Sequence, residues 1–208
     1  MPEDFQRLEL AEQRTQARNN PRDSLIWSQC VAFTRWLDSK YRALRLFSQL
    51  PPLTAKTSPS SVRREGGGGW QIRLPTEWEW QWAAQGGKYA RRYPWGDWQA
   101  GCANTAEAGL GRAIAVGLYP HGRSVCNALD MAGNLYEWCL NEYSPSEVSN
   151  IATIKLNLLR GGSFLSGQGD VSVLSRHLFF EAFDQINLTC FGMRLVISDP
   201  VELLSSGE

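Results

Sequence analysis

Five cysteines and two histidines are the side chains in this sequence best suited to hold a soft metal or act as nucleophiles. Cys30, Cys102, Cys126, Cys139 and Cys190 are scattered, and no two lie within four residues of each other. A zinc knuckle or a redox CxxC needs paired thiols at short spacing, so neither is present. His121 and His177 stand in neither an HxxxH nor an HxE arrangement, and each is expected to pack or to face solvent. No Ser-His-Asp set, phosphate loop or paired-carboxylate signature is visible. No catalytic residue is therefore assigned, and no redox metal is expected.

The composition narrows the class. With 208 residues, 43% hydrophobic and 20% charged, the chain suits one folded domain with a tail. Lys and Arg number 21, as do Asp and Glu, so no net field draws the whole protein to nucleic acid or to a membrane surface. No apolar run approaches the roughly 18 residues of a membrane span. The first twenty residues are charged and lack the apolar core of a secretory signal, and the odd thiols suit a reducing compartment. Both features point to the cytoplasm. Nine Trp and 19 Gly predict a loop-rich fold in which large rings pin irregular segments.

Local patterns give the elements. Residues 1–23 are polar and helix-favouring. Residues 24–38 form an amphipathic helix with Ser24 as its cap and Trp27, Val31, Ala32 and Trp36 on one face, and a second helical stretch follows over 40–50. The Pro-, Ser- and Gly-rich stretch 51–69 is expected to be a mobile insertion. A strand ends at Pro75. Thr76 and Glu79 then make a capping box for a helix over 77–85 that turns Trp78, Trp82 and Ala83 to a core and stops at Gly86-Gly87. Long loops over 88–130 precede the compact DMAGNLYEW segment at 130–138. A short strand is expected at 151–156, then one over 158–164 whose double glycine admits a ring or another backbone. A closing strand spans 192–197, and 198–208 form a tail.

Four segments in this order carry a resemblance: RLPTEWEWQWAAQGG (73–87), YPWGD (93–97), ALDMAGNLYEW (128–138) and LRGGSF…GMRLV (159–196). Together they resemble the formylglycine-generating-enzyme, or sulfatase-modifying-factor, superfamily over about residues 24–197. The resemblance implies an α+β, C-type lectin-like fold, loop-rich, with short antiparallel strands and two main helices. Only about 23 residues precede the first helix, where family members carry strands.

The resemblance also implies sites. Formylglycine-generating enzymes bind copper(I) through two cysteines shortly after RGGS. Here Ser166 stands where the first is expected, and no cysteine occurs between 139 and 190. A hydroxyl is no substitute for a soft thiolate. The family's sulfoxide synthases hold iron through histidines of an attached helical domain. The family's DxxGNxxEW segment wraps a calcium, which implies side-chain oxygens from Asp130 and Glu137 and carbonyls from Gly133 and Leu135. The competing role for the two carboxylates is to cap turns and pair with Arg194 or Arg160. A second family calcium site would use Asn104, but no acidic partner is evident beside it.

Variable proteins of diversity-generating retroelements share this fold and are rewritten between RGGS and GFR. Mutagenesis at AAC codons cannot yield Lys, Gln, Glu, Met or Trp. In 164–191 only Gln168, Glu181 and Gln185 belong to that set. The expected function is therefore non-catalytic ligand binding, with a protein or other macromolecule as partner. The binding face comprises Phe164, Leu165, Ser166, Gly167, Asp170, Ser172, Ser175, His177, Leu178, Phe179, Phe180, Asn187 and Thr189. Arg160, Ser163, Arg176 and Arg194 are frame. The alternative is a metal-dependent oxidase of the same superfamily.

Overall fold

The computed structural model describes residues 18–50, 69–143, 156–180 and 188–198. Two helices, α1 (Trp27–Ala43) and α2 (Glu77–Gln85), pack against short strands joined by long loops. Strands β2 (Tyr136–Tyr143), β3 (Leu156–Arg160), β4 (His177–Phe180) and β5 (Phe191–Met193) form one sheet in the order β4-β3-β2-β5. A second, two-stranded sheet pairs β1 (Gln71–Arg73) with β6 (Val196–Ser198). The sheets are not wholly antiparallel as expected: β5 lies parallel to β2, with Glu137 opposite Gly192. The closing strand is split in two, because Arg194 and Leu195 carry the chain from one sheet to the other.

Successive residues on a strand face opposite sides, and the core follows that rule. Trp138 and Leu159 point to one side, among Leu25, Leu135, Phe164 and Phe191. Cys139 and Leu158 point to the other, among Trp80, Ala84, Met131 and Val173. The rings of Trp138, Phe179 and Phe191 meet edge to face, with centroids 5.0 to 5.7 Å apart. Such contacts add to the free energy of burying the rings themselves.

Both helices differ from expectation in phase or start. Ser24 does not cap α1: it is buried at φ 59°, and Leu25 is tied to the sheet on both sides. Its amide donates to Phe191 O at 3.3 Å, and its carbonyl accepts from Trp138 Nε1 at 2.8 Å. The helix therefore begins only at Trp27, and it runs on to Ala43 before a short 3-10 turn at Leu46–Gln49. Trp36 lies exposed on its outer side.

Helix α2 has the expected bounds, the Thr76–Glu79 capping box and the left-handed Gly86. Its buried stripe is Glu77, Trp80 and Ala84, whereas Trp78 and Trp82 are exposed. The hydrophobic pattern misleads here because the stripe contains a carboxylate that two arginines neutralise. Arg160 Nη1 lies 3.2 Å from Glu77 Oε1, and Arg176 Nη2 lies 2.6 Å from Glu77 Oε2.

Two glycines are required by their surroundings. A Cβ on Gly133, at φ 72°, would lie 2.3 Å from Asn104 O. One on Gly161, at φ 86°, would lie 3.1 Å from the Trp80 ring and 3.3 Å from Met131 O, the close approach expected at the double glycine. The mobile insertion expected at 51–69, the strand at 151–156 and the tail fall largely or wholly outside the described residues.

Two predictions follow from α2. Arg160 is fully buried, so Glu77→Ala leaves it without its anion. The expected loss is about 3–5 kcal/mol of unfolding free energy, read from urea denaturation. Glu79 behaves differently. Burial raises its carboxyl, but the Arg73 hydrogen bonds and the Thr76 amide prevail and hold it below the usual carboxylate range. Its contribution is complete above that range and is lost as pH falls through the depressed value. Glu79→Gln is expected to flatten the acid limb of a melting-temperature profile, leaving the neutral limb parallel to that of the parent.

Candidate functional site

The segment from Arg160 to β4 wraps the end of the main sheet. Gly161 and Gly162 turn the chain out of β3, both with positive φ. The chain then settles on the 102–108 loop: Ala106 N donates to Ser166 O at 3.0 Å, and Gln168 N donates to Glu107 Oε1 at 2.7 Å. Tyr93 Oη reaches Gln168 O at 3.1 Å. These contacts hold the backbone, so exposed side chains here are not needed for packing.

The expected binding residues divide into two groups. Leu165, Asp170 and Leu178 are exposed, and Gly167, Ser172, Ser175, His177 and Thr189 are partly exposed. Ser172 and Ser175 share a hydrogen bond at 2.7 Å, and His177 Nε2 lies 3.2 Å from Asp170 O. Phe164 and Ser166 do not face solvent, each being only 5% exposed. Phe164 joins the core beside Trp138, and Phe179 packs partly buried against the same cluster. The pleat explains Phe179: in β4 it lies on the opposite side from exposed Leu178. The backbone of Phe180 closes β4 opposite Leu156. Asn187 lies outside the described residues.

Ser166 sits at the centre of a small polar cluster. It accepts from Ser163 N at 3.0 Å and donates to Tyr136 Oη at 2.9 Å. The His177 ring meets Tyr136 edge-on at 4.8 Å. Burial raises the Tyr136 hydroxyl, the Ser166 bond pulls it back, and Cys190 and Asp170 push it up. Cys190 is buried, and burial raises its thiol against its own amide and Ser163. A thiol held protonated is a poor nucleophile and a poor soft-metal ligand. Tyr136 and the exposed Leu174 escaped the sequence reading, which weighed Cys190 only as a lone thiol. Tyr136 lay hidden inside a motif read for its carboxylates, and only the β2–β5 pairing brings Cys190 near it.

The acidic turn lies on another side of β2. Glu137 accepts from Arg194 Nε at 2.8 Å, Arg194 Nη2 at 2.7 Å and Trp80 Nε1 at 2.6 Å. Asp130 Oδ2 accepts from Gly117 N at 2.8 Å. Asn104, at the other expected calcium position, bonds Arg112 O and Asn134 Oδ1 through Nδ2. Among the described residues no three His, Cys, Asp or Glu side chains converge as a metal cage. No described helix is long and apolar enough to cross a membrane.

The family model of the sulfatase-modifying factor enzyme 1-like domain matches residues 3–198. The chain belongs to that family. The formylglycine-generating enzyme of Streptomyces coelicolor is 38% identical over 116 residues, covering 45% of this chain and 36% of that enzyme. The inactive C-alpha-formylglycine-generating enzyme 2 of Mus musculus is 33% identical over 104 residues, covering 45% and 32%. The matched region thus spans about a third of each relative's length. Among solved structures, Treponema denticola variable protein 1 superposes with a TM-score of 0.64 at 22% identity, over 91% of this chain and 74% of that one. That likeness shows the fold: this family member is an α+β, C-type lectin-like domain of the formylglycine-generating-enzyme type.

The exposure pattern generates a prediction. Phe164→Ala is expected to cost about 3–5 kcal/mol, because it empties a core position. Leu165→Ala and Leu178→Ala should each stay within about 0.5 kcal/mol of the parent. Urea melts of the three variants check both parts.

Proposed function

We propose that this chain is a non-catalytic ligand-binding domain. Its binding surface is displayed by the exposed residues of 165–178 and by Thr189, on a formylglycine-generating-enzyme scaffold of the kind used by retroelement-diversified variable proteins. The observation that carries this reading is Ser166. The family's copper enzymes need a thiolate there, and this hydroxyl is buried and bonded to Ser163 and Tyr136. The site keeps the family's shape without the sulfur pair that binds copper(I).

The surrounding surface supports binding. Leu165, Asp170, Leu174 and Leu178 are exposed, and His177 is partly exposed beside Asp170 O, on a backbone fixed from beneath. Apolar side chains on a rigid frame lose little freedom when a partner covers them. The partner proposed is a protein or another macromolecule. The fold shared with Treponema denticola variable protein 1 and the likeness to an inactive C-alpha-formylglycine-generating enzyme 2 support this reading.

Two measurements test the proposal. Anaerobic copper(I) titration against a competing chelator should show no stoichiometric retention, and a thiol peptide should elicit no oxygen uptake. Tight copper with oxygen consumption would establish the oxidase reading instead. The nucleotide sequence of codons 160–196 should have an adenine-rich template copy beside a reverse transcriptase gene. Its absence removes retroelement diversification and leaves only the binding role.

A further inference from the structure

We infer that in this chain the guanidinium of Arg194 closes the Asp130–Glu137 turn, in the place that a calcium ion takes by family resemblance. The turn itself is built as a cation site should be. Asp130 and Asn134 adopt positive φ, and Asp130 and Glu137 line the same cleft of about 130 Å³, together with Leu135, Met193 and Arg194. Two carboxylates that share a cleft repel one another and need a positive charge between them.

The question is which cation supplies that charge. Calcium takes six to eight oxygens at about 2.3–2.6 Å. Both Glu137 oxygens already accept N–H donors: Oε1 from Arg194 Nη2, and Oε2 from Arg194 Nε and Trp80 Nε1. Asp130 gives one oxygen to Gly117 N. Asn134 Oδ1 accepts from Ile114 N and Asn104 Nδ2. Both Glu137 oxygens, Asp130 Oδ2 and Asn134 Oδ1 are thus committed to protein donors, which leaves the turn short of the side-chain oxygens that a calcium shell needs.

Replacing the arginine would also be unfavourable. Arg194 makes a two-pronged contact with Glu137, the geometry that best matches a carboxylate. A second bond from Nη2 to Leu129 O at 2.8 Å anchors the guanidinium to the start of the turn. Its side chain is 28% exposed, against 10% for Glu137. A divalent ion entering the cleft would have to break the fork and then sit beside the displaced guanidinium. The arginine comes from the crossing between β5 and β6, so it joins the turn to both sheets, as a metal ion would join separate segments.

The test uses the full chain, stripped with chelator and dialysed free of metal. Calcium chloride from micromolar to millimolar should leave the melting temperature unchanged, and calorimetry should show no saturable heat. A calcium-dependent rise in melting temperature, or one-to-one binding, overturns the inference. Arg194→Met should lower the melting temperature by about 5 °C or more, as breaking a partly buried pair in a domain of this size does. Arg194→Lys keeps the charge but not the fork, and should fall between the two. A loss under about 1 °C for Arg194→Met also overturns the inference, since surface changes have effects of that size. These readouts do not depend on any ligand of the 165–178 surface, so they fail or succeed separately from the binding proposal.

Discussion

The indole of Trp80 connects the two charge networks on which the fold depends. Arg160 lies over its ring at 5.1 Å and reaches Glu77, which also takes Arg176. The indole N–H donates to Glu137, which takes Arg194. One side chain on α2 thus sits between arginines from β3 and from the crossing after β5. Charges of this kind are costly to bury alone and are tolerated only when every partner is present. The consequence is an all-or-none scaffold, in which short strands and long loops are registered by ionic contacts as much as by apolar packing.

That arrangement separates what must be constant from what is free to change. The constant part runs inward: Trp138, Leu159, Phe164 and Phe191 on one side of the main sheet, Trp80, Leu158 and Val173 on the other. The free part runs outward from a backbone held by Ala106, Glu107 and Tyr93. Leu165 and Leu174 are exposed and lie outside the core clusters, so the packing does not fix their identity. A scaffold whose stability lies beneath the surface leaves its outer residues free to differ, because the fold by itself does not set the function.

The motifs were legible in the sequence because they encode local chemistry. The Thr76–Glu79 box, the Gly86 stop and the close approach at Gly161 each depend on a few neighbouring residues, and each appears as expected. The family, and through it the fold class, follows from four such motifs in order. That serine stands at 166 and no cysteine lies between 139 and 190 was equally plain, because this is a matter of residue type alone.

Residue type and spacing therefore determined the family, the caps of α2 and the absence of a cysteine between 139 and 190. Tertiary structure decided which face of α2 is buried, where α1 starts, and which residues of 164–179 face solvent. The reason is that side-chain burial depends on distant partners. Glu77 turns inward only because Arg160 and Arg176 arrive from residues 83 and 99 positions away. Phe179 turns inward only because β4 pairs with β3 in one register, with Phe179 opposite Asn157. No local pattern carries that information; it exists only once the sheet has formed.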